Sequence, residues 1–238
     1  MIGCRCNVCL STDPRNRRSR SSILVQADGK NILIDTSTDL RQQAISQGMD
    51  RLDAVLYTHA HADHVHGIDE LRSFSPKDGG SIPCYGSPSI LETIRSNFSY
   101  IFNGGQNGWI PKLALHAVEK RFEVSGIPVT PVTIFHGDHR TIYGYRFQGF
   151  AYLTDCSGIP DPSVELLQGL DVLMIDATRY QPHPNHFSFS QAIETAQRLK
   201  PGRTILTHLS HVYDHDQVQS ELPEGFELAY DGMIIDPA

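Results

Sequence analysis

Six consecutive residues constrain this chain more than any other feature: His59-Ala60-His61-Ala62-Asp63-His64. Four of the six side chains can ligate a metal ion, and the small alanines between them permit a tight backbone path. The run follows directly on an apolar strand expected over Asp53–Thr58 and precedes a helix expected over Val65–Phe74. Alternate side chains of an extended segment point the same way. His59 and His61 can therefore address one ion while Asp63 and His64 turn towards a second. Imidazole with carboxylate suits Zn, Mn or Fe rather than calcium. A histidine-rich surface loop arising by chance would not explain the position at a strand end.

One loop cannot supply all the ligands of two ions. Polar, metal-competent residues recur at the ends of other apolar runs, at Asp35, His136, Asp155, Asp176 and His208. His136 follows Val132–Phe135, Asp155 follows Tyr152–Thr154, and His208 follows Ile205–Thr207. Each alone could be an ordinary core residue. Together with the loop they complete two sets: His59, His61 and His136 for one ion, Asp63, His64 and His208 for the other, with Asp155 shared. Strand ends from distant parts of a chain can meet on one sheet edge, which is how a rigid scaffold builds a site. Asp35 reads either as a residue orienting a metal-bound histidine or as a plain turn aspartate.

The remaining pattern is that of an α/β protein. Ser22–Gln26 and Asn31–Asp35 flank Asp28-Gly29, a hairpin signal. Asp39–Gly48 reads as a helix stopped by Gly48. Ser89–Phe102 places Ile90, Leu91, Ile94, Phe98, Ile101 and Phe102 on one helical face, and the Gly- and Asn-rich stretch Asn103–Gly108 reads as a mobile loop. Strand pairs are expected within Phe122–Phe135 about Gly126, and over Tyr143–Phe147 and Phe150–Thr154. Val172–Asp176 and Thr204–Thr207 read as buried strands. Between them Ser188 and Gln191 have capping-box spacing for a helix ending at Pro201-Gly202.

Composition narrows the function classes. Lys and Arg number 20 against 27 acids, a net charge of −7, which does not suit a general nucleic-acid coat. Arg15, Arg17, Arg18 and Arg20 lie among serines and read as a solvated loop. No apolar run is long enough to span a bilayer. Met1-Ile2-Gly3-Cys4-Arg5-Cys6 lacks the apolar core of a secretory signal, so a cytoplasmic protein is expected. Of five cysteines, Cys4, Cys6 and Cys9 sit together, and in a reducing compartment that grouping suggests metal more than disulfides.

The run HAHADH resembles the H-x-H-x-D-H signature of the metallo-β-lactamase superfamily. The later isolated His, strand-end Asp and final His follow the order of that family. The resemblance covers nearly the whole chain and implies a single domain over residues 1–238, a four-layer αββα sandwich with metals at the sheet edge. Within the superfamily the chain is most similar to PhnP-like cyclic-phosphate phosphodiesterases. The residues that carry this are Cys4-Arg5-Cys6…Cys9, Tyr152-Leu153-Thr154-Asp155, Asn185-His186-Phe187, Leu206-Thr207-His208-Leu209-Ser210-His211 and Tyr230-Asp231-Gly232-Met233. Members of that group usually begin with an apolar strand and a Gly-rich turn. Here Met1 stands almost on Cys4, so the expectation is a truncated first strand or a misassigned start.

The resemblance implies two divalent ions, Zn or Mn, in the active site. It further implies a structural zinc held by Cys4, Cys6, Cys9 and His211, in a loop at about residues 3–20. Three thiolates and an imidazole make a closed tetrahedral site. His186 matches a histidine that is no metal ligand and gives a proton to the leaving group, a task suited to imidazole. Asp63 is counted both as a ligand and as a catalytic residue. The implied activity is hydrolysis of a small phosphodiester, with a cyclic ribose phosphate suggested by resemblance alone, and the resemblance also suggests a homodimer. Two rival readings stand beside it: an RNA-processing enzyme like the tRNA 3′-end nucleases, and a metal-binding accessory protein of cofactor biosynthesis without turnover. His66, His116, His139, His183 and His215 have no place in the ligand count. Arg140 and Arg179 can reach a phosphate but are better read as surface ion-pair partners, and Cys156 reads equally as a buried small hydrophobe or as a neighbour of the metals.

Overall fold

The computed structural model describes residues 1–76, 78–103, 109–138 and 140–236. The chain divides into two compact units, residues 20–131 and residues 1–19 with 132–238.

In the first unit, strands β1 (Ile23–Ala27) and β2 (Lys30–Ile34) pair antiparallel, with Ala27 opposite Lys30. Asp28 and Gly29 make the two-residue turn at φ 47° and 69°. That is a type I′ turn, whose twist matches the paired strands. Strands β3 (Ala54–Leu56), β4 (Ile82–Gly86) and β5 (Leu113–Ala117) follow in parallel, giving the order β1-β2-β3-β4-β5. Helix α1 (Leu40–Ser46) ends before Gly48 at φ 61°, as the sequence suggests. Two helices differ from expectation. The segment after the histidine run is not one helix: α2 is a single turn (Ala62–Val65), and a 3-10 segment follows over Ile68–Phe74. Gly67 separates them because the backbone there lies against Ser37, where a Cβ would meet the carbonyl oxygen at 2.0 Å. The face read over Ser89–Phe102 is divided into α3 (Pro88–Asn97) and α4 (Ser99–Phe102) at Phe98, with φ −114° and ψ 39°. The apolar face survives the break, since Ile90, Leu91, Ile94, Phe98 and Ile101 all join the core of this unit. Most of the loop read over Asn103–Gly108 lies outside the described residues.

The second sheet has the order β12-β11-β10-β9-β8-β7-β6. Its strands are β6 (Phe122–Val124), β7 (Ile127–Phe135), β8 (Thr141–Phe147), β9 (Phe150–Leu153), β10 (Val172–Asp176), β11 (Arg203–Thr207) and β12 (Phe226–Leu228). The boundary between the units falls inside β7. Strands β9 to β12 are parallel. Every residue of β10 is buried, which explains the unbroken apolar run of its first four residues, Val172 to Ile175. Helix α5 (Asp161–Glu165) precedes β10, α6 (Phe189–Leu199) joins β10 to β11, and α7 (His215–Glu221) precedes β12. Ser188 and Gln191 form the capping box the sequence suggests, satisfying donors that the first turn leaves without partners. The core of this unit gathers Val132, Leu153, Leu173, Ile175, Leu199 and Leu206. Two sheets with their helices give the mixed α/β class expected from the sequence. Among the described residues no helix is long and apolar enough to cross a membrane.

Replacing Gly67 by Ala should cost about 1–3 kcal/mol, because the new methyl overlaps the Ser37 carbonyl. Urea unfolding measures this, and an unchanged midpoint would mean that the backbone can move away freely.

Candidate functional site

In the first unit, β2 and β3 run parallel with Ile34 opposite Leu56, so both end at one edge. Asp35 follows β2, fully buried, at φ 63°. Aspartate tolerates this left-handed conformation better than most residues. One carboxylate oxygen accepts the Thr58 N–H at 2.8 Å. The other accepts the Thr58 hydroxyl at 2.7 Å and His64 Nδ1–H at 2.8 Å. An ionised carboxylate only accepts. Thr58 therefore gives its proton to Asp35 and receives one from His59 Nδ1, 3.0 Å away. A single buried carboxylate thus sets two imidazoles in one tautomer, leaving Nε2 of each as the metal-competent nitrogen. Burial pushes the Asp35 carboxyl above its ordinary range, while His64 and the Thr58 donors pull it back. The His59 ring lies 4.6 Å from that of His61 and 4.2 Å from that of His64. Asp63, in the first turn of α2, has a carboxylate oxygen 3.7 Å from His64 Nε2.

The second unit builds the same arrangement. Asp176 ends β10, fully buried, and its carboxylate accepts His186 Nδ1–H at 2.8 Å and the Thr178 hydroxyl at 2.6 Å. Thr178 in turn accepts from His208 Nδ1 at 3.0 Å. His208, following β11, and Asp155, following β9, both hold positive φ, 57° and 55°. His208 Nε2 lies 3.5 Å from the Asp155 carboxylate. The His136 Nδ1–H donates to the Asn185 carbonyl at 2.9 Å, and burial lowers the pKa of this imidazole. The rings of His186 and His208 stack at 5.1 Å, and that of His136 lies 5.1 Å from His186. Donor atoms of His136, Asp155 and His186 all lie within 4.8 Å of one another. His59, His64, His136 and His208 thus share one feature: Nδ1 engages a fixed acceptor. Metal-ligating histidines are characteristically held this way, and the donor sets fit divalent ions.

The cysteine loop is also assembled. Sulfur and nitrogen donors of Cys4, Cys6, Cys9 and His211 lie within 4.8 Å of one another. His211 Nδ1 is 3.6 Å from Cys4 Sγ and 3.5 Å from Cys6 Sγ. The His211 contact holds the Cys6 thiol down at about 6, with help from the Cys9 N–H. The donor set fits one tetrahedral zinc. The adjoining basic stretch is not merely a solvated loop. Arg18 reaches inward to the Ser210 and Tyr213 carbonyls, Arg15 pairs with Asp13 and Asp216, and Arg20 lies within ion-pair distance of Asp39.

The weaker candidates disperse. His66 packs edge-on against Phe98, His116 stacks on Tyr85, and His215 is buried beside Tyr230. Cys156 is a fully buried core residue whose thiol is pushed well above its ordinary pKa by burial. His139 lies outside the described residues. Arg179 has no carboxylate at ion-pair distance among the described residues, contrary to the surface pairing expected for it. Sequence reading marked Asp176 only as a metal-competent residue at a strand end and gave no role to Thr178 or Thr58. The trace they leave is a strand-end Asp two residues before a Thr, and a Thr immediately before the first metal-competent His.

The profile described as "Beta-lactamase superfamily domain" matches residues 30–209. The chain is 39% identical over 242 residues to a Porphyromonas gingivalis protein named octanoyltransferase. That match takes in 99% of this chain and 49% of the relative, so the chain spans about half its length. A crystal structure described as a new diphosphatase from the PhnP family superposes with a TM-score of 0.92 at 42% identity, covering 98% of this chain and 89% of the other. The Zn²⁺-bound PqqB of Methylobacterium extorquens superposes with a TM-score of 0.77 at 22% identity, over 99% and 94% of the two chains, a likeness of fold.

Asp35→Asn should weaken metal binding about 10–100-fold, because it unsettles two imidazoles at once. Chelator competition measures this, and unchanged affinity would separate Asp35 from the ligands. In metal-free protein, alkylation of Cys6 should rise with a midpoint near pH 6. His211→Ala should move that midpoint up towards an ordinary thiol, about 8.5. The sign follows from the lowered pKa, since the reactive thiolate persists above it.

Proposed function

The chain belongs to the PhnP family of the metallo-β-lactamase superfamily, and from that premise we propose that this hydrolase is a dinuclear phosphodiesterase acting on a small phosphodiester. The observation that carries the reading is the pair of buried aspartates, each ordering two imidazoles through Nδ1, which assigns Nε2 of His59, His64 and His208 to metal binding and Nε2 of His186 to proton transfer. His59, His61 and His136 would hold one divalent ion, Asp63, His64 and His208 the other, and Asp155 would bridge them. Cys4, Cys6, Cys9 and His211 would hold a structural zinc. When bound, the two ions supply Lewis acidity and lower the pKa of a water molecule.

The protein's own residues account for the rest of the chemistry. His186 donates a proton from Nε2 to the departing alkoxide. Its Nδ1–H stays on Asp176, which stabilises the imidazolium form and fixes the ring direction. Asp63, half-exposed in the first turn of α2, serves as a ligand and orients the attacking water. The phosphoric-diester substrate is supported by the likeness to the PhnP-family diphosphatase. Transferase activity is not carried over, because half of the relative bearing that name is unmatched. Against the RNA-processing reading stands the net charge of −7, and Arg15, Arg18 and Arg20 are engaged by this chain's own acids and carbonyls.

The test is turnover of bis(p-nitrophenyl) phosphate by Mn- or Zn-loaded protein. Wild type should be active and His208→Ala inactive. On a diester with an alkoxide leaving group His186→Ala should lower kcat about 100-fold or more, with a smaller loss on bis(p-nitrophenyl) phosphate, whose nitrophenolate leaves without a proton. Activity retained in His208→Ala, or none in metal-replete wild type, would refute the proposal. Cleavage of tRNA precursors in preference to small diesters would favour the nuclease reading.

A further inference from the structure

His208 and His211 lie three residues apart yet serve different donor sets, the one assigned above to an active-site ion and the other to the cysteine site. An extended chain spans at most about 3.6 Å per residue, so their Cα atoms are within about 11 Å of each other. The strands leading to this turn stay paired beyond their ends. The Ala177 N–H donates to the Thr207 carbonyl and the Ser210 N–H to the Thr178 carbonyl, both at 3.0 Å. His208, at φ 57°, is held on either side by these two bonds. Thr178 makes the second bond with its carbonyl and engages His208 Nδ1 with its hydroxyl. Whatever fixes Ser210 therefore also fixes the ring that faces Asp155.

Beyond Ser210 the turn is gripped by the amino-terminal segment of the same unit. Arg18 Nη1 donates to the Ser210 carbonyl at 3.4 Å and to the Tyr213 carbonyl at 2.9 Å. Arg18 Nη2 donates to the Asn16 side-chain oxygen, which also accepts the His215 N–H at 2.9 Å. A guanidinium suits this use because its planar fork reaches several oxygens from one fixed position. His211 closes the grip on Cys4 and Cys6. Thiols alone offer an imidazole only weak hydrogen bonds, and an ion in the cysteine site replaces these with ligand bonds. A non-glycine residue at positive φ keeps that conformation only while its surroundings determine the path. For His208 the surroundings on the carboxyl-terminal side are the cysteine loop and Arg18.

We propose that the cysteine site and the active site are energetically coupled. Filling the cysteine site tightens the binding of the ion that His208 holds, and Arg18 is the positioning residue that carries the coupling through Ser210 and Thr178. This rests on the ligand assignment given above and adds a link between its two parts. Coupling in binding is reciprocal, so the active-site ion tightens the cysteine site by the same factor.

The test is calorimetric titration of metal-free protein with Mn(II), the cysteine site being either empty or first filled with one equivalent of zinc. Thiolates select zinc, whereas manganese suits carboxylate-rich sites. The binding step lost in His208→Ala identifies the ion concerned. Zinc should tighten that step about tenfold and leave the other step nearly unchanged. In zinc-filled Arg18→Met the same step should weaken by about tenfold while the zinc stays bound, and Arg18→Lys should recover part of the loss. The zinc-filled variants decide the matter even where zinc-free protein does not fold. Equal manganese affinity with and without zinc would overturn the coupling. So would an unchanged His208 step in zinc-filled Arg18→Met, or an equal weakening of both steps, which marks a general loosening of the fold. Folded wild type that binds no manganese would overturn the ligand assignment itself, and the coupling with it.

Discussion

A carboxylate taken out of water at the end of a parallel strand is the constraint on which the rest of this structure depends. Burying Asp35 or Asp176 is unfavourable unless every lone pair is engaged. Each is engaged by one imidazole directly and by a threonine hydroxyl that passes the contact to a second imidazole. The cost of burial is offset by hydrogen bonds that leave each ring a single orientation. Positive φ at Asp35, Asp155 and His208 adds local strain, which persists because the paired strands on either side determine the path. Function and stability meet in the same few atoms. A change that relaxes the carboxylate releases two histidines together.

Parallel topology is what makes this economical. Strands β9, β10 and β11 share one direction, so Asp155, Asp176 and His208 emerge at one edge without any long loop. Strands β2 and β3 do the same for Asp35 and His59. The cysteine loop serves a different end. It joins residues near the start of the chain to His211, three positions beyond His208, and Arg18 and Asn16 add contacts to the same loop and to Asp214.

Much of this was legible in the sequence because the relevant signals are local. The Asp28-Gly29 turn, the capping box at Ser188 and Gln191, and the buried run of β10 each follow from a few neighbouring residues. The metal-competent residues were legible because their strands are short, apolar and followed at once by His or Asp. Two helix readings were too long for reasons that are not local. Gly67 is required by the distant Ser37 carbonyl, and the break at Phe98 leaves the apolar face intact. The anchoring roles of Asp176, Thr178 and Thr58 were hidden for a similar reason. A threonine hydroxyl has ordinary uses almost everywhere, and only the fold reveals that it sits between a buried carboxylate and an imidazole. Arg179 shows the converse, since the absence of an acidic partner among the described residues is visible only in the folded chain.

The central claim is that the histidines and carboxylates ordered by Asp35 and Asp176 serve one two-metal centre. The most direct measurement is electron paramagnetic resonance of metal-free protein titrated with Mn(II), the cysteine site being first filled with zinc. The account predicts that saturation gives the multiline spectrum of an exchange-coupled manganese pair, with hyperfine spacing half that of an isolated ion. A saturated spectrum showing only isolated manganese would contradict it.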